Sequence, residues 1–258
     1  MDLATIKRRL DDDGFAVLPG YIEPRLLDAL RERIERLYSE EGDAAGAEFK
    51  QEPGSRRLAN LVDKGDVFLE PLAARDVLEL VRHVLGGEIK LSSMNARSVN
   101  PHCPNCQPLH ADMGAIADER GSWVCNTVWL MDDFTPENGS LRAIPGSHRL
   151  GRLPQDALDD PTAAHPDEVL ITGRAGDVFV MNAHLWHGGT ANRTARPRTA
   201  LHVFFCRRDK PQQQYQKQLV RPDVQAKLSP ELRELLALDD PLNDRLSAEV
   251  VTRSGFLK

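Results

Sequence analysis

The stretch Gln107-Pro-Leu-His110-Ala-Asp112 sets the strongest constraint on how this chain can fold. Residues two apart on an extended strand point to the same face. If this run is a strand, the His110 imidazole and the Asp112 carboxylate converge on one point and supply two thirds of a metal site. The missing ligand has to come from elsewhere in the chain. His187, in Asn182-Ala-His-Leu-Trp-His187-Gly-Gly, is the candidate. Two His and one carboxylate leave open positions on an octahedral ion, the arrangement of non-heme Fe(II) oxygenases.

The periodicity of the chain says what could hold such a site. Leu3, Ile6 and Leu10 have helical spacing, and Phe15 to Pro19 is a short apolar strand. Pro24 opens a helix whose stripe of Leu26, Leu27, Leu30, Ile34 and Leu37 runs to about Tyr38. Gly42 to Gly65 is polar and reads as a loop, and Pro71 to Leu85 as a helix stopped by Gly86-Gly87. The pattern then changes. Ile89 to Val99, Trp123 to Met131, Leu141 to Ile144, Val169 to Thr172, Asp177 to Asn182 and Thr199 to Arg207 read as strands, broken by turn signals such as Pro136-Glu-Asn-Gly139. On the clearest of these, Val124, Asn126, Val128 and Leu130 share one face, and Cys125, Thr127, Trp129 and Met131 the other. The tail from Lys210 is polar, then helical around Pro230 to Leu238. Helices followed by many short strands imply a mainly β protein with flanking helices, a jelly roll or barrel. The expected organisation is a single domain over 1–258, with N-terminal helices to about 88, a β core over about 89–208 and a helical tail over 209–258.

At 258 residues the chain is long enough for one large core. A formal net charge of -6 gives no reason to expect nucleic acid or an anionic membrane as partner. The start is an amphipathic helix rather than a signal peptide, and no apolar run approaches the ~20 residues of a bilayer span. A cytoplasmic protein acting on a small molecule is the expectation; nothing speaks to oligomeric state. Cys103-Pro-Asn-Cys106 has redox or zinc spacing, but Cys125 and Cys206 do not form a second pair, so two loop thiols without such a role are expected.

The chain resembles the phytanoyl-CoA dioxygenase family of Fe(II)/2-oxoglutarate oxygenases over most of its length. Phe15-Ala-Val-Leu-Pro-Gly20 is similar to the family's opening strand, His110-Ala-Asp112 to its HxD, and Asn138-Gly-Ser-Leu-Arg-Ala-Ile-Pro-Gly-Ser-His148 to its hairpin run ending in PGSH. Gly176-Asp177, then His187, then Arg198 eleven residues on, resembles its closing signature. HxD alone is a weak signal, but these motifs in this order are a strong one. The resemblance implies a double-stranded β-helix of cupin-like type, Fe(II), and 2-oxoglutarate and O2 as co-substrates. It carries over to His110, Asp112 and His187 as metal ligands and to Arg198 as the holder of the distal carboxylate of 2-oxoglutarate, a task suited to a planar, permanently charged guanidinium. It also points to Gln107, three before His110, to Trp129 with Thr127 on its face, and to Asn95 as further cofactor contacts. Gly189 departs from relatives that place a serine there, and Thr190 is its candidate substitute. His184 is the rival for the third ligand, and His202 shares the Arg198 face.

The implied reaction is hydroxylation of a small organic molecule with release of succinate and CO2. Desaturation, cyclisation or epimerisation with the same cofactors is the alternative outcome. A non-catalytic metal-binding jelly-roll module and a zinc hydrolase are alternatives of other classes. Pocket residues are expected from 42–65, 100–107 and the tail, with Arg56, Arg57 and Lys64 as a possible local anion site.

Overall fold

The apolar periodicities described above become one large sheet, with helices on its outer face and a second, smaller sheet on its inner face. The computed structural model describes residues 2–49 and 51–248. In chain order the helices and strands are α1 (Leu3–Asp12), β1 (Phe15–Leu18), α2 (Pro24–Glu41), β2 (Ser55–Leu58), α3 (Arg75–Leu85), β3 (Ile89–Val99), β4 (Val124–Leu130), β5 (Leu141–Ala143), β6 (Val169–Ile171), β7 (Val178–Asn182), β8 (His187–Gly189), β9 (Arg198–Arg207), α4 (Gln216–Leu219), α5 (Pro222–Gln225), α6 (Pro230–Leu235) and α7 (Pro241–Ser247). The large sheet has the order β1-β7-β4-β9-β3-β2 and the small one β6-β5-β8, with antiparallel pairings throughout. This is the jelly-roll class that the strand pattern predicts. Among the described residues no helix is long and apolar enough to cross a membrane.

Each face of the large sheet has its own packing. Outward, Cys125, Trp129, Met131, Val178, Val180, Leu201, Val203 and Phe205 bury against the apolar stripes of the helices, including Leu27, Leu30, Ile34 and Leu37 of α2 and Leu80 and Val81 of α3. These stripes recur every three or four residues, which places them on one side of each helix. Gly86 ends α3 in the left-handed conformation and returns its N–H to the Arg82 carbonyl. Inward, Val128, Leu130, Phe179, Met181 and Ala200 meet Phe134, Leu141, Ala143 and Ile171, so one end of the space between the sheets is filled with apolar side chains. The other end opens into the cavity that holds the site.

Several boundaries differ from expectation, each for a local reason. The helix expected from Pro71 begins at Arg75, because residues 71–73 form a separate 3-10 turn and Ala74 is extended. The loop over 42–65 contains β2, which pairs with β3 as an edge strand and carries charged Arg56 and Arg57. The N-terminal region therefore contributes two sheet strands, β1 and β2, as well as helices. His187 to Gly189 is a strand rather than the start of a loop. His110 to Asp112 is not a strand: His110 forms a single antiparallel bridge to His187, and Asp112 enters a turn with Met113 at φ 59°. The tail is helical beyond 230–238, since α4, α5 and α7 flank α6. It docks on β3 through Lys90, whose buried ammonium donates to Asn243 Oδ1 at 2.8 Å and to the Arg208 carbonyl at 3.0 Å. The end of the expected tail, 249–258, lies outside the described residues.

Candidate metal centre

His110 and His187 are brought together by backbone pairing across the chain. The His110 N–H donates to the His187 carbonyl at 2.9 Å and the His187 N–H to the His110 carbonyl at 3.0 Å. Gly188 permits this approach, because a Cβ there would lie 2.8 Å from the Gln107 carbonyl oxygen and 3.1 Å from that of Pro108. Asp112 is added by its own N–H, which donates to the Ala183 carbonyl at 2.9 Å. The ligand atoms of His110, Asp112 and His187 lie within 4.8 Å of one another, and theirs is the sole such cluster among the described residues. His184 does not compete: its Nε2 accepts the Trp123 N–H at 3.1 Å.

The orientation of the three side chains suits a metal. His110 Nδ1–H donates to the Pro108 carbonyl at 2.9 Å and His187 Nδ1–H to that of Leu185 at 2.8 Å. Both Nε2 lone pairs are therefore left for a ligand, and they lie 3.7 and 3.6 Å from Asp112 Oδ1. Fixing the remote nitrogen in this way is how metal-binding histidines are held in one tautomer. Asn126 Nδ2 donates to Asp112 Oδ2 at 3.2 Å and turns the other oxygen toward the histidines. Burial opposes ionisation of Asp112, but His187 and His110 outweigh it and hold the carboxyl far below its usual range. Burial, then His187, pushes His110 down to about 4, so it stays neutral and able to ligate at neutral pH.

These residues form one wall of a cavity of about 520 Å³. Polar atoms without partners face the cavity: His202 Nε2, Asn95 Oδ1 and Asn126 Oδ1 are all buried and unpaired. A buried polar atom normally has a hydrogen-bond partner, and an unpaired one costs about 1–3 kcal/mol. Burial, then Arg97 and Arg57, pushes His202 down to about 3, which leaves it neutral.

Arg198 is 1% exposed and stacks on Phe134 at 4.0 Å. It donates to the Gly139 carbonyl, and its Nε has no partner. No carboxylate among the described residues is within ion-pair distance of it, and Asp132 spends an oxygen on the Thr199 N–H. Burial, then the like charge of Arg97, lowers its pKa to about 9, so it remains a cation at neutral pH. A buried, unpaired cation is costly unless an anion arrives. This is the provision a dicarboxylate co-substrate needs, and the donor set of two imidazoles and a carboxylate suits Fe(II). The residues present fit both groups.

The remaining expected cofactor contacts divide. Asn95 faces the cavity, with Nδ2 donating to Ser93 Oγ at 3.3 Å. Gln107 also lines it, but its side-chain carbonyl is spent within the protein, accepting from the Gly189 N–H at 2.9 Å and Arg97 Nη1 at 3.1 Å. A Cβ at Gly189 would sit 3.1 Å from Gln107 Oε1, so a side chain there would press on this amide. Thr190 lines the cavity, while its hydroxyl donates to the Ser140 carbonyl. Trp129 and Thr127 are not at the site. Strand parity turns Asn126 and Val128 inward, so Thr127 and Trp129 face out. There Trp129 meets Tyr21 edge-on at 5.8 Å and donates to Thr127 Oγ1 at 3.0 Å, and Thr127 donates to the Val203 carbonyl at 3.1 Å.

Sequence reasoning missed Asn126, Arg97 and Glu52. Alternation was a usable signal for the first two, since Asn126 shares a face with Val128 and Arg97 with Asn95. Nothing in the polar stretch around Glu52 marked it. It also missed Arg142, buried on β5, which donates to the Gln107 carbonyl at 3.0 Å and to the Pro161 and Ala163 carbonyls, and so fixes the approach to His110. In the PGSH turn the Ser147 hydroxyl accepts the Trp186 N–H, which makes that run a support for β8. Cys103 is buried and Cys106 exposed; both are free and line the cavity.

Residues 10–200 match the family described as phytanoyl-CoA dioxygenase (PhyH). The chain belongs to that family. As a member it is an Fe(II)/2-oxoglutarate-dependent dioxygenase, with iron as cofactor and 2-oxoglutarate and O2 as co-substrates. It is 29% identical over 190 residues to the Dioxygenase af480 of Aspergillus fumigatus, a match that covers 72% of this chain and 60% of that relative's length. It is 25% identical over 236 residues to an L-proline trans-4-hydroxylase of Streptomyces griseoviridis, covering 80% of this chain and 87% of the relative. Among solved structures, HygX of Streptomyces hygroscopicus with nickel and 2-oxoglutarate bound superposes with a TM-score of 0.67 at 19% identity, over 81% of this chain and 88% of HygX. At that identity the likeness speaks for the fold alone.

Proposed function

We propose that the protein hydroxylates a small organic molecule at a C–H bond, converting 2-oxoglutarate and O2 to succinate and CO2. The observation that carries this reading is the convergence of His110, Asp112 and His187 on the wall of a cavity that also presents unpaired polar atoms. His110, Asp112 and His187 are the proposed iron ligands and Arg198 the proposed partner of the distal carboxylate of 2-oxoglutarate. Asn95 and His202 line the space between. Iron, when bound, supplies the centre at which O2 is reduced at the expense of 2-oxoglutarate.

The chain's own residues do the rest. The backbone pairing of His110 with His187 fixes the ligand geometry before any substrate arrives. Asn126 holds the orientation of Asp112. Arg198 orients the co-substrate by charge, from a site shielded from water. Asp112 fills a position that a small residue would leave open to halide, so hydroxylation is favoured over halogenation. All of this lies within a single domain over 1–258, the organisation we propose for the whole chain.

The test is incubation of the purified protein with Fe(II), 2-oxoglutarate and a panel of small molecules under O2. The expected result is succinate release coupled to a product that gains one oxygen atom from O2. A product that has lost two hydrogens, or has inverted one centre, would replace hydroxylation by desaturation or epimerisation. Failure to bind or turn over 2-oxoglutarate would sink the reading.

A further inference from the structure

The cavity is lined by a cationic group separate from the buried Arg198. Arg57, on β2, and Arg97, on β3, lie 3.3 and 2.9 Å from one carboxylate oxygen of Glu52. All three side chains line the cavity and are mostly buried, at 11–19% exposure. Arg97 is linked to the metal side through Gln107, three residues before His110. Of the basic residues singled out between 42 and 65, only Arg57 is here. Arg56 stacks on Tyr38, and Lys64 pairs with Glu41 and Glu48.

The cluster is close but poorly matched. Glu52 Oε2 accepts no aligned hydrogen bond, and neither Arg57 nor Arg97 has a partner for Nε–H. A guanidinium and a carboxylate that fit make two parallel bonds. Here one carboxylate oxygen is shared by two guanidinium groups, and neither is held in that paired way.

Charge says what is missing. With His110 and His187 as neutral ligands of the bound metal, the ionised groups lining the cavity are Asp112, Glu52, Arg57 and Arg97; Arg198 adds its charge from the buried inner face. Fe(II) and the 2-oxoglutarate dianion cancel, and so do Asp112 and Arg198. Glu52 neutralises one of the remaining arginines. One guanidinium is therefore left over in the loaded site, among buried groups where an unmatched charge is costly.

We infer that Arg57 and Arg97 recognise a carboxylate carried by the molecule being oxidised, which binds beside Glu52 and matches the guanidinium that Glu52 leaves over. This inference rests on the proposed function and names its substrate class: a small organic acid. Glu52 then neutralises one guanidinium and leaves the other for the substrate carboxylate, which favours acids over neutral analogues of the same shape.

The test uses the protein loaded with Zn(II) and saturating 2-oxoglutarate, titrated with octanoate and with octanamide and followed by saturation-transfer NMR. Octanoate is expected to bind at least ~10-fold more tightly, the effect of one charge-assisted contact. Arg57→Gln should remove this preference while the Kd for 2-oxoglutarate changes by less than about twofold. Glu52→Gln should tighten octanoate binding, a gain that a merely structural Glu52 would not produce. Equal binding of acid and amide, no binding of octanoate, or a loss of 2-oxoglutarate affinity in Arg57→Gln overturns the inference; the last would place the cluster in the co-substrate site. If 2-oxoglutarate itself does not bind, the proposed function fails first and takes this inference with it.

Discussion

The two faces of the large sheet use the same strands for opposite ends. On the outer face every polar group near β4 is paired: Trp129 donates to Thr127, and Thr127 to the Val203 carbonyl. On the inner face, one residue away along the same strands, Asn126, Asn95, His202 and Arg198 each keep a buried polar atom without a partner. Around β4 the outer face behaves as core, its polar groups matched within the chain. The inner face retains unmatched polarity, because its partners are not part of the chain. Around β4, unsatisfied buried polarity separates the binding surface from the packing surface.

This contrast predicts how substitutions should divide. The largest effect falls on the ligands: Asp112→Ala should abolish iron-dependent turnover of 2-oxoglutarate while the far-UV circular dichroism stays native. Unchanged turnover would remove Asp112 from the metal. Next comes Arg198→Gln, which removes a charge-assisted contact of about 1.5–3 kcal/mol and should raise the KM for 2-oxoglutarate by about 10- to 100-fold. An unaltered KM would place the distal carboxylate elsewhere. Asn126→Ala acts through Asp112 and should weaken metal affinity by about 10-fold, read by competition with a chelator. The outer face should answer in stability alone. Trp129→Phe removes one buried hydrogen bond, should cost about 1 kcal/mol and lower Tm by about 2–4 °C, and should leave the KM for 2-oxoglutarate within about twofold. A large KM change there would erase the distinction between the faces.

The smallest effect lies outside both faces and tests pH. Asp118 is held ionised at the surface by hydrogen bonds from Arg207 and Lys210, which depress its carboxyl strongly. A depressed carboxyl contributes stability that is fully present above its unfolded pKa, near 4, and is lost as pH falls below it. Asp118→Asn should lower Tm slightly at neutral pH and make no difference in strong acid; a constant difference across the range would deny the linkage.

How much of this was legible in the sequence follows from the same physics. The helix stripes and the strand alternation were readable because each element buries one side. The metal ligands were readable because their spacing and order are preserved in the primary chain. What alternation cannot give is which of two faces points inward. On β4 the aromatic Trp129 drew the reading to the wrong side, and Asn126, its neighbour by three, was overlooked. β2 escaped because a short edge strand carrying Arg56 and Arg57 has no apolar alternation to show. Glu52 escaped because its partners, Arg57 and Arg97, meet it only through the pairing of β2 with β3. The HxD run was readable as a pair but not in its mechanism, since a single bridge to His187, rather than a strand, aligns it.

The most direct test of the division between the faces is a calorimetric titration of 2-oxoglutarate into anaerobic, Fe(II)-loaded protein, comparing wild type, Asp112→Ala, Arg198→Gln and Trp129→Phe. One saturable site is expected in wild type and in Trp129→Phe, weakened in Arg198→Gln and lost in Asp112→Ala. Binding that survives in Asp112→Ala and disappears in Trp129→Phe would contradict the assignment of the inner face as the site.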